Sequence, residues 1–482
     1  MAKKRMSTFE RLKPGRMNRA QRRELGRRVA AGDPQLAIVN PNAGGIDVGN
    51  ESHFVAVPPD RDENPVREFG CWTQALHEMA EWLKSCRIET VAVQATGVYW
   101  IALYDVLEQH GIRVVLVNAQ HTKNVPGRKT DVQECQWLMK LHTYGLMRDS
   151  FRLQQDMEYV RTLWRLRDRH VKDAGREVQH MQKALTKMNV QLANVISNIS
   201  GLSGQAIISA ILRGNRDPVQ LADLVDYRVK ASREEVARSL EGNWRPDVLF
   251  ELQQAVDSYH FAHRQMLECD EKLALYLASL STRTLETPAS FQPESIVQKR
   301  KKARKPRDNE PRMDLKAELK RICGVDLTSI DGINVMTAFT VISEVGTEMS
   351  RFKDEDHFTS WMGLAPSKDI SSGKVVGSGK KKVKNRVAIV LRTAATSLLE
   401  SDTYLGARYR HLRRQLPTLK GAVKAMARHL AVLIYRLLIH GQAWIDRGAA
   451  QFERKRLERE MANLHVKAKA KGFALVPITE GN

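Results

Sequence analysis

At 482 residues, with 77 Lys and Arg against 55 Asp and Glu for a formal net charge of +22, the chain has room for about three domains and a field that attracts polyanions. No apolar run approaches the roughly 20 residues that a spanning helix needs and no secretory signal is visible, so a membrane protein is not expected and a cytoplasmic one is. The five cysteines, Cys71, Cys86, Cys135, Cys269 and Cys323, are scattered without metal-ligand spacing, which argues against a disulfide framework or a zinc site.

Residues 1–38 are dense in cations, including Lys3, Lys4, Arg5, Arg22, Arg23, Arg27 and Arg28, with no sustained apolar face. They read as a basic arm for phosphate contact, or as a solvated leader. The first globular segment, residues 39–150, opens with Gly44 to Asn50 as a buried strand and a Gly-Asn turn, and a second strand from His53 completes a hairpin. Asp47 falls inside the first apolar strand, where a carboxylate is costly unless it is paired, binds metal or caps the turn. Next come a helix from Gln74 to Cys86, a strand Glu89–Gln94, a helix Trp100–His110 and a strand Arg113–Asn118, an alternation that predicts an α/β sheet. Asp47, Gln94 and Asn118 then emerge at one sheet edge. Asp131 and Glu134, three residues apart at the start of a helix-like run, project from one helical face toward it. Carboxylates gathered in this way suit magnesium and phosphodiester chemistry.

Gly45-Ile-Asp-Val48, Ala95-Thr-Gly-Val-Tyr-Trp100, Asn118-Ala119 and Pro126-Gly-Arg-Lys-Thr-Asp131 followed by Trp137-Leu138 resemble the RuvC-like domain of the DEDD transposases of the insertion-sequence-110 family, particularly its 1111 subgroup. The resemblance implies an RNase H/RuvC-like fold for residues 39–150 and places the family's four acidic positions on Asp47, Gln94, Asp131 and Glu134. Two of these depart from the pattern. Glu134 stands where Asp is usual and keeps the charge. Gln94 replaces Glu, and its amide oxygen can ligate a cation without supplying charge. On this reading Asp47, Asp131 and Glu134 hold Mg2+, while Arg128 and Lys129 contact nucleic acid.

From residue 151 to 290 apolar residues recur at helical spacing, pause near Gly201 and Gly204, and resume from Leu249, which predicts a helical hairpin or coiled coil. Family members carry a coiled coil here that helps to join subunits, so a homo-oligomer, dimer or tetramer, is implied. Residues 291–318 form a Pro-punctuated basic linker. Residues 319–450 read as a mostly α domain in which Leu327 to Ala338 suggests a helix, a Gly turn and a helix, similar to a helix-hairpin-helix; an ordinary αα-hairpin fits as well. Its second notable stretch runs from Trp361 through Gly363-Leu-Ala-Pro366 to Ser371-Ser-Gly-Lys374, then Gly379 to Arg386. Taken alone, this is a Ser-Gly turn beside lysines. It looks like the family's transposase domain, which places the nucleophilic serine on Ser371, with Ser372 as the alternative, and gives Lys374, Lys380, Lys381, Lys382, Lys384 and Arg386 to nucleic acid. Residues 451–482 form a basic tail.

The function so implied is insertion and excision of a bacterial mobile element by serine attack on donor and target double-stranded DNA, guided by a structured non-coding RNA, in a nucleoid-associated cytoplasmic enzyme. Two alternatives stand beside it: a hydrolytic RuvC-like junction nuclease, and a nucleic-acid-binding protein whose site is weakened at Gln94.

Overall fold

The computed structural model describes residues 37–95, 97–118, 130–147, 149–284, 309–366, 369–371, 374–377, 385–441 and 449–474. The chain divides into two compact units, Met1–Arg152 and Leu153–Asn482. The basic arm through residue 36, the linker residues 285–308 and the last eight residues of the tail lie outside the described residues.

The first unit is built on a five-stranded sheet of order β3-β2-β1-β4-β5, formed by β1 (Ala43–Val48), β2 (Ser52–Ala56), β3 (Val66–Gly70), β4 (Thr90–Gln94) and β5 (Arg113–Val117). Strand β2 runs antiparallel to both β1 and β3, whereas β4 lies parallel to both β1 and β5. Alternation along each strand sorts the side chains onto two faces. Ile46, Val48, Val91, Val93, Val114 and Leu116 pack on one side against α1 (Thr73–Ser85) and α2 (Trp100–Gln109). Ala92, Val115 and Val117 pack on the other against Leu138 of α3 (Asp131–Thr143). This mixed sheet with flanking helices is consistent with an RNase H-like domain. Strand β3 was not expected from sequence, because it is an edge strand whose Arg67 and Glu68 are exposed and whose apolar signal is correspondingly thin.

In the second unit α4 (Gln155–Lys187) and α9 (Pro246–Ser279) lie side by side. Lys187 meets Glu251, Arg167 meets Asp270 and Tyr159 stacks near Tyr276, so the two helices run antiparallel as a hairpin. Their connection is no short turn. Four short helices, α5 (Leu192–Val195), α6 (Leu202–Leu212), α7 (Pro218–Ala222) and α8 (Arg233–Ser239), bury Leu192, Ile207, Ile211, Leu221 and Val236 against Met181, Leu185, Leu252 and Val256 at the hairpin's end. The pause at Gly201 and Gly204 is therefore a folded cap. A Cβ on Gly204 would sit 2.1 Å from the Ile199 carbonyl oxygen.

The C-terminal helices begin earlier than the expected residue 319, because Asp314 caps α10 (Leu315–Cys323) through the amide of Ala317 at 3.0 Å. The expected helix at Leu327 is only one 3-10 turn, Leu327–Ser329, capped by Asp326; the chain turns at Gly332, with φ +83°, into α11 (Val335–Val345). After α12 (Glu355–Trp361) come two short paired strands, β6 (Asp369–Ser371) and β7 (Lys374–Gly377), then α13 (Arg386–Ser397), α14 (Tyr404–Gln415), α15 (Leu419–His440) and α16 (Ala449–Ala470). The tail is helical through Ala470, and its Phe452 is buried against Tyr404 and His411.

Candidate active site

Asp47 and Gln94 are brought together by strand register. Parallel pairing matches Gly45 with Ala92 and Ile46 with Val93, so the next step sets Asp47 beside Gln94 at the C-terminal ends of β1 and β4. Both share the parity of Gly45 and Ala92, which places them on the face that α3 covers. Asp47 is half-buried and Gln94 is 4% exposed. Asn118 follows β5 at the same end and is exposed.

Helix α3 approaches that face unusually closely. A Cβ on Gly45 would lie 2.2 Å from the Met139 amide nitrogen and 2.4 Å from the Cys135 carbonyl oxygen, so backbone rests on backbone and no side chain fits. The helix runs opposite to β1 and β4. Its C-terminal His142 shares a 2.9 Å hydrogen bond between Nε2 and the Thr90 hydroxyl at the start of β4, and the His142 carbonyl accepts from Asn40 Nδ2 at 2.7 Å. Cys135 lies over Gly45, and the first turn, with Asp131 and Glu134, reaches the strand ends that carry Asp47 and Gln94. Thr130 caps that turn by accepting from the Gln133 amide.

The Cys135 thiol reports the field at this junction. Burial, with the Asp47 and Asp131 carboxylates adding to it, pushes the thiol up to about 12. It stays protonated and donates to the Val132 carbonyl at 3.1 Å. Both acids therefore act on one buried group. The donors left for a cation are all oxygens: the Asp47 and Asp131 carboxylates, the Glu134 carboxylate and the Gln94 amide. Among the described residues no group of three or more His, Cys, Asp and Glu side chains lies close enough together to hold a metal ion. Magnesium bound through one or two carboxylates, its remaining positions filled by water and substrate phosphate, suits such a donor set.

In the second unit, Gly363 turns with φ +71° after α12, Leu364 is buried, and the hairpin that follows sets Ser371 opposite Lys374 in register. Ser372, Lys380, Lys381, Lys382 and Lys384 lie outside the described residues, as do Arg128 and Lys129 of the first unit. Arg386, expected to meet nucleic acid, opens α13 and makes ion pairs with Asp168 at 3.1 Å and Glu344 at 3.9 Å. Asp168 lies 218 positions away, and no local pattern points to it.

Two family models match the chain: residues 44–190 match the DEDD transposase model of the IS110 family, described as Transposase, and residues 326–410 match the model described as Transposase IS116/IS110/IS902 family. The chain is a transposase. No curated protein matches it. The first match contains Asp47, Gln94, Asp131 and Glu134, and the second contains Ser371 and Arg386, so every residue of the candidate site falls within a transposase domain. As a transposase the protein acts on DNA. No described helix is long and apolar enough to cross a membrane.

Proposed function

We propose that this transposase cuts and rejoins DNA by attack of the Ser371 hydroxyl on a phosphodiester, with the carboxylates of the first unit serving the same reaction, and that a structured RNA of its own element guides it. Support comes from the convergence of Asp47, Gln94 and the first turn of α3 at the ends of two parallel strands, inside a match to a DEDD transposase. One or two of the Asp47, Asp131 and Glu134 carboxylates would hold magnesium, and Gln94 would add an amide oxygen. Bound there, magnesium would favour the ionised serine and offset charge building on the phosphate. Ser371 forms the bond to phosphorus as the strand's own ester bond breaks, which leaves a phosphoserine. Lys374, its register partner, supplies a cation beside the phosphate. The net charge of +22 suits a protein that holds both RNA and DNA, and the subunits are read as oligomeric, in the manner of the 1111 subgroup.

The decisive experiment is denaturing electrophoresis of the protein with cleaved DNA. Wild type should give a covalent protein–DNA species that Ser371→Ala loses, while nucleic-acid binding is retained. Adduct persisting in Ser371→Ala and lost in Ser372→Ala moves the nucleophile by one residue; cleavage with no adduct in wild type establishes the hydrolytic nuclease instead.

A further inference from the structure

Three helices of the second unit meet around a group of cations. On α14 the residues Tyr404, Arg408 and His411 recur at helical spacing and share a face, and the first and last stack on Phe452 of α16 at ring distances of 5.2 and 5.8 Å. Arg408 therefore lies in the seam between the two helices. Arg459 stands two turns beyond Phe452 on the same face of α16, and its charge acts on Arg408. From α15, His429 faces the same guanidinium and is pushed down to about 3, by burial first and then by Arg408 and Arg436.

Arg408 is poorly satisfied here. Its Nε is buried and has no hydrogen-bond partner, and its side chain bonds the Tyr404 phenol. The nearby acids are already engaged: Glu453 with Arg456 at 2.7 Å and Arg414 at 3.9 Å, Glu460 with Arg456 at 3.6 Å, and Glu355 with Arg436 at 2.7 Å. Among the described residues neither Arg408 nor Arg459 forms an ion pair. A guanidinium cannot escape burial by losing its proton, so its desolvation has to be offset by an anion.

We propose that the seam of α14, α15 and α16 binds a phosphate of the nucleic-acid backbone, with Arg408 as its deep ligand and Arg459 at its mouth. The planar fork of Arg408 suits two phosphate oxygens, and the exposed Arg459 keeps the entrance open to a polymer. His429 and Arg459 lie beyond the 326–410 match and Arg408 lies within it, and the proposal draws on none of the chemistry assigned to the acids or the serine.

The test uses the full chain, inorganic phosphate and a DNA duplex. Without phosphate, Arg408→Gln should melt at or above the wild-type temperature, since the substitution removes a half-buried guanidinium whose Nε is unpartnered; inorganic phosphate should raise the wild-type melting temperature and leave that of the variant unmoved. Duplex binding by the variant should weaken to a similar degree across sequences, with the salt dependence of log K shallower by about 1. Duplex should also abolish the phosphate response of wild type. A variant that melts lower and binds duplex with the wild-type salt dependence would make Arg408 a packing residue and overturn the proposal, and a phosphate response that survives saturating duplex would assign the seam to a free anion instead. Should Arg408→Gln fail to fold, Arg459→Gln at the exposed mouth must show the same loss of salt dependence, and an unchanged slope there rejects the site.

Discussion

On the proposed reading Gln94 stands at one of four otherwise acidic positions, and its surroundings say what an amide does there. The side chain is 4% exposed and stands beside Asp47 on the face under α3. An amide there bonds without charge, whereas a carboxylate would add a second buried anion next to the first. Gln94→Glu should therefore lower stability in chelator by about 2 kcal/mol and recover it in magnesium, with a larger magnesium-dependent rise in melting temperature than wild type shows. Equal magnesium responses in the two proteins would mean that no cation sits beside position 94. The departure itself is legible in the sequence, but its burial is not, because burial follows from α3 closing over β4.

Helix α3 is the element on which the candidate site turns, and its far end carries its own titration. His142 is 4% exposed; burial, with Arg113 adding to it, pulls the imidazole down to about 4. The folded protein keeps His142 neutral, whereas the unfolded chain takes up a proton near its ordinary value of 6.5. Stability from this group is thus intact above about 6.5 and is lost as pH falls toward 4, to a total of about 3 kcal/mol. Urea midpoints measured between pH 7 and 4.5 should fall in wild type and fall less in His142→Gln; parallel curves would show that His142 is not the titrating group. Strands β1, β4 and β5 and helices α1 to α3 were readable because apolar β-branched runs and helical periods survive in the local sequence. What was unreadable has local causes as well: β3 is an exposed edge, α16 shows little amphipathic pattern around its anchor Phe452, and the cap α5 to α8 draws its core from helices too short to display a period. Gly45 stood in the sequence as part of a motif, but only the contact with Cys135 and Met139 explains why a glycine is required there.

At the scale of the whole second unit, the α4–α9 hairpin is held by a buried ion pair. Arg167 is 1% exposed, gives Nε and Nη2 to Asp270 at 2.5 and 3.2 Å, and donates Nη1 to the Asn309 carbonyl at 3.1 Å. Removal of one partner leaves a desolvated charge, so Asp270→Ala should cost about 3–5 kcal/mol in denaturant unfolding, and the paired change Arg167→Met with Asp270→Leu should recover most of it. A single-variant loss under about 1 kcal/mol would mean that water reaches the pair. The helical period revealed the two helices, but it could not set their register, since the partners lie 103 positions apart. That pairing also limits how the hairpin can take part in any change of shape. A slide of one helix past the other by a single turn, about 5.4 Å, would strand both charges in an apolar interior. The hairpin is thus a strut and not a sliding rail: along their length its two helices are displaced together.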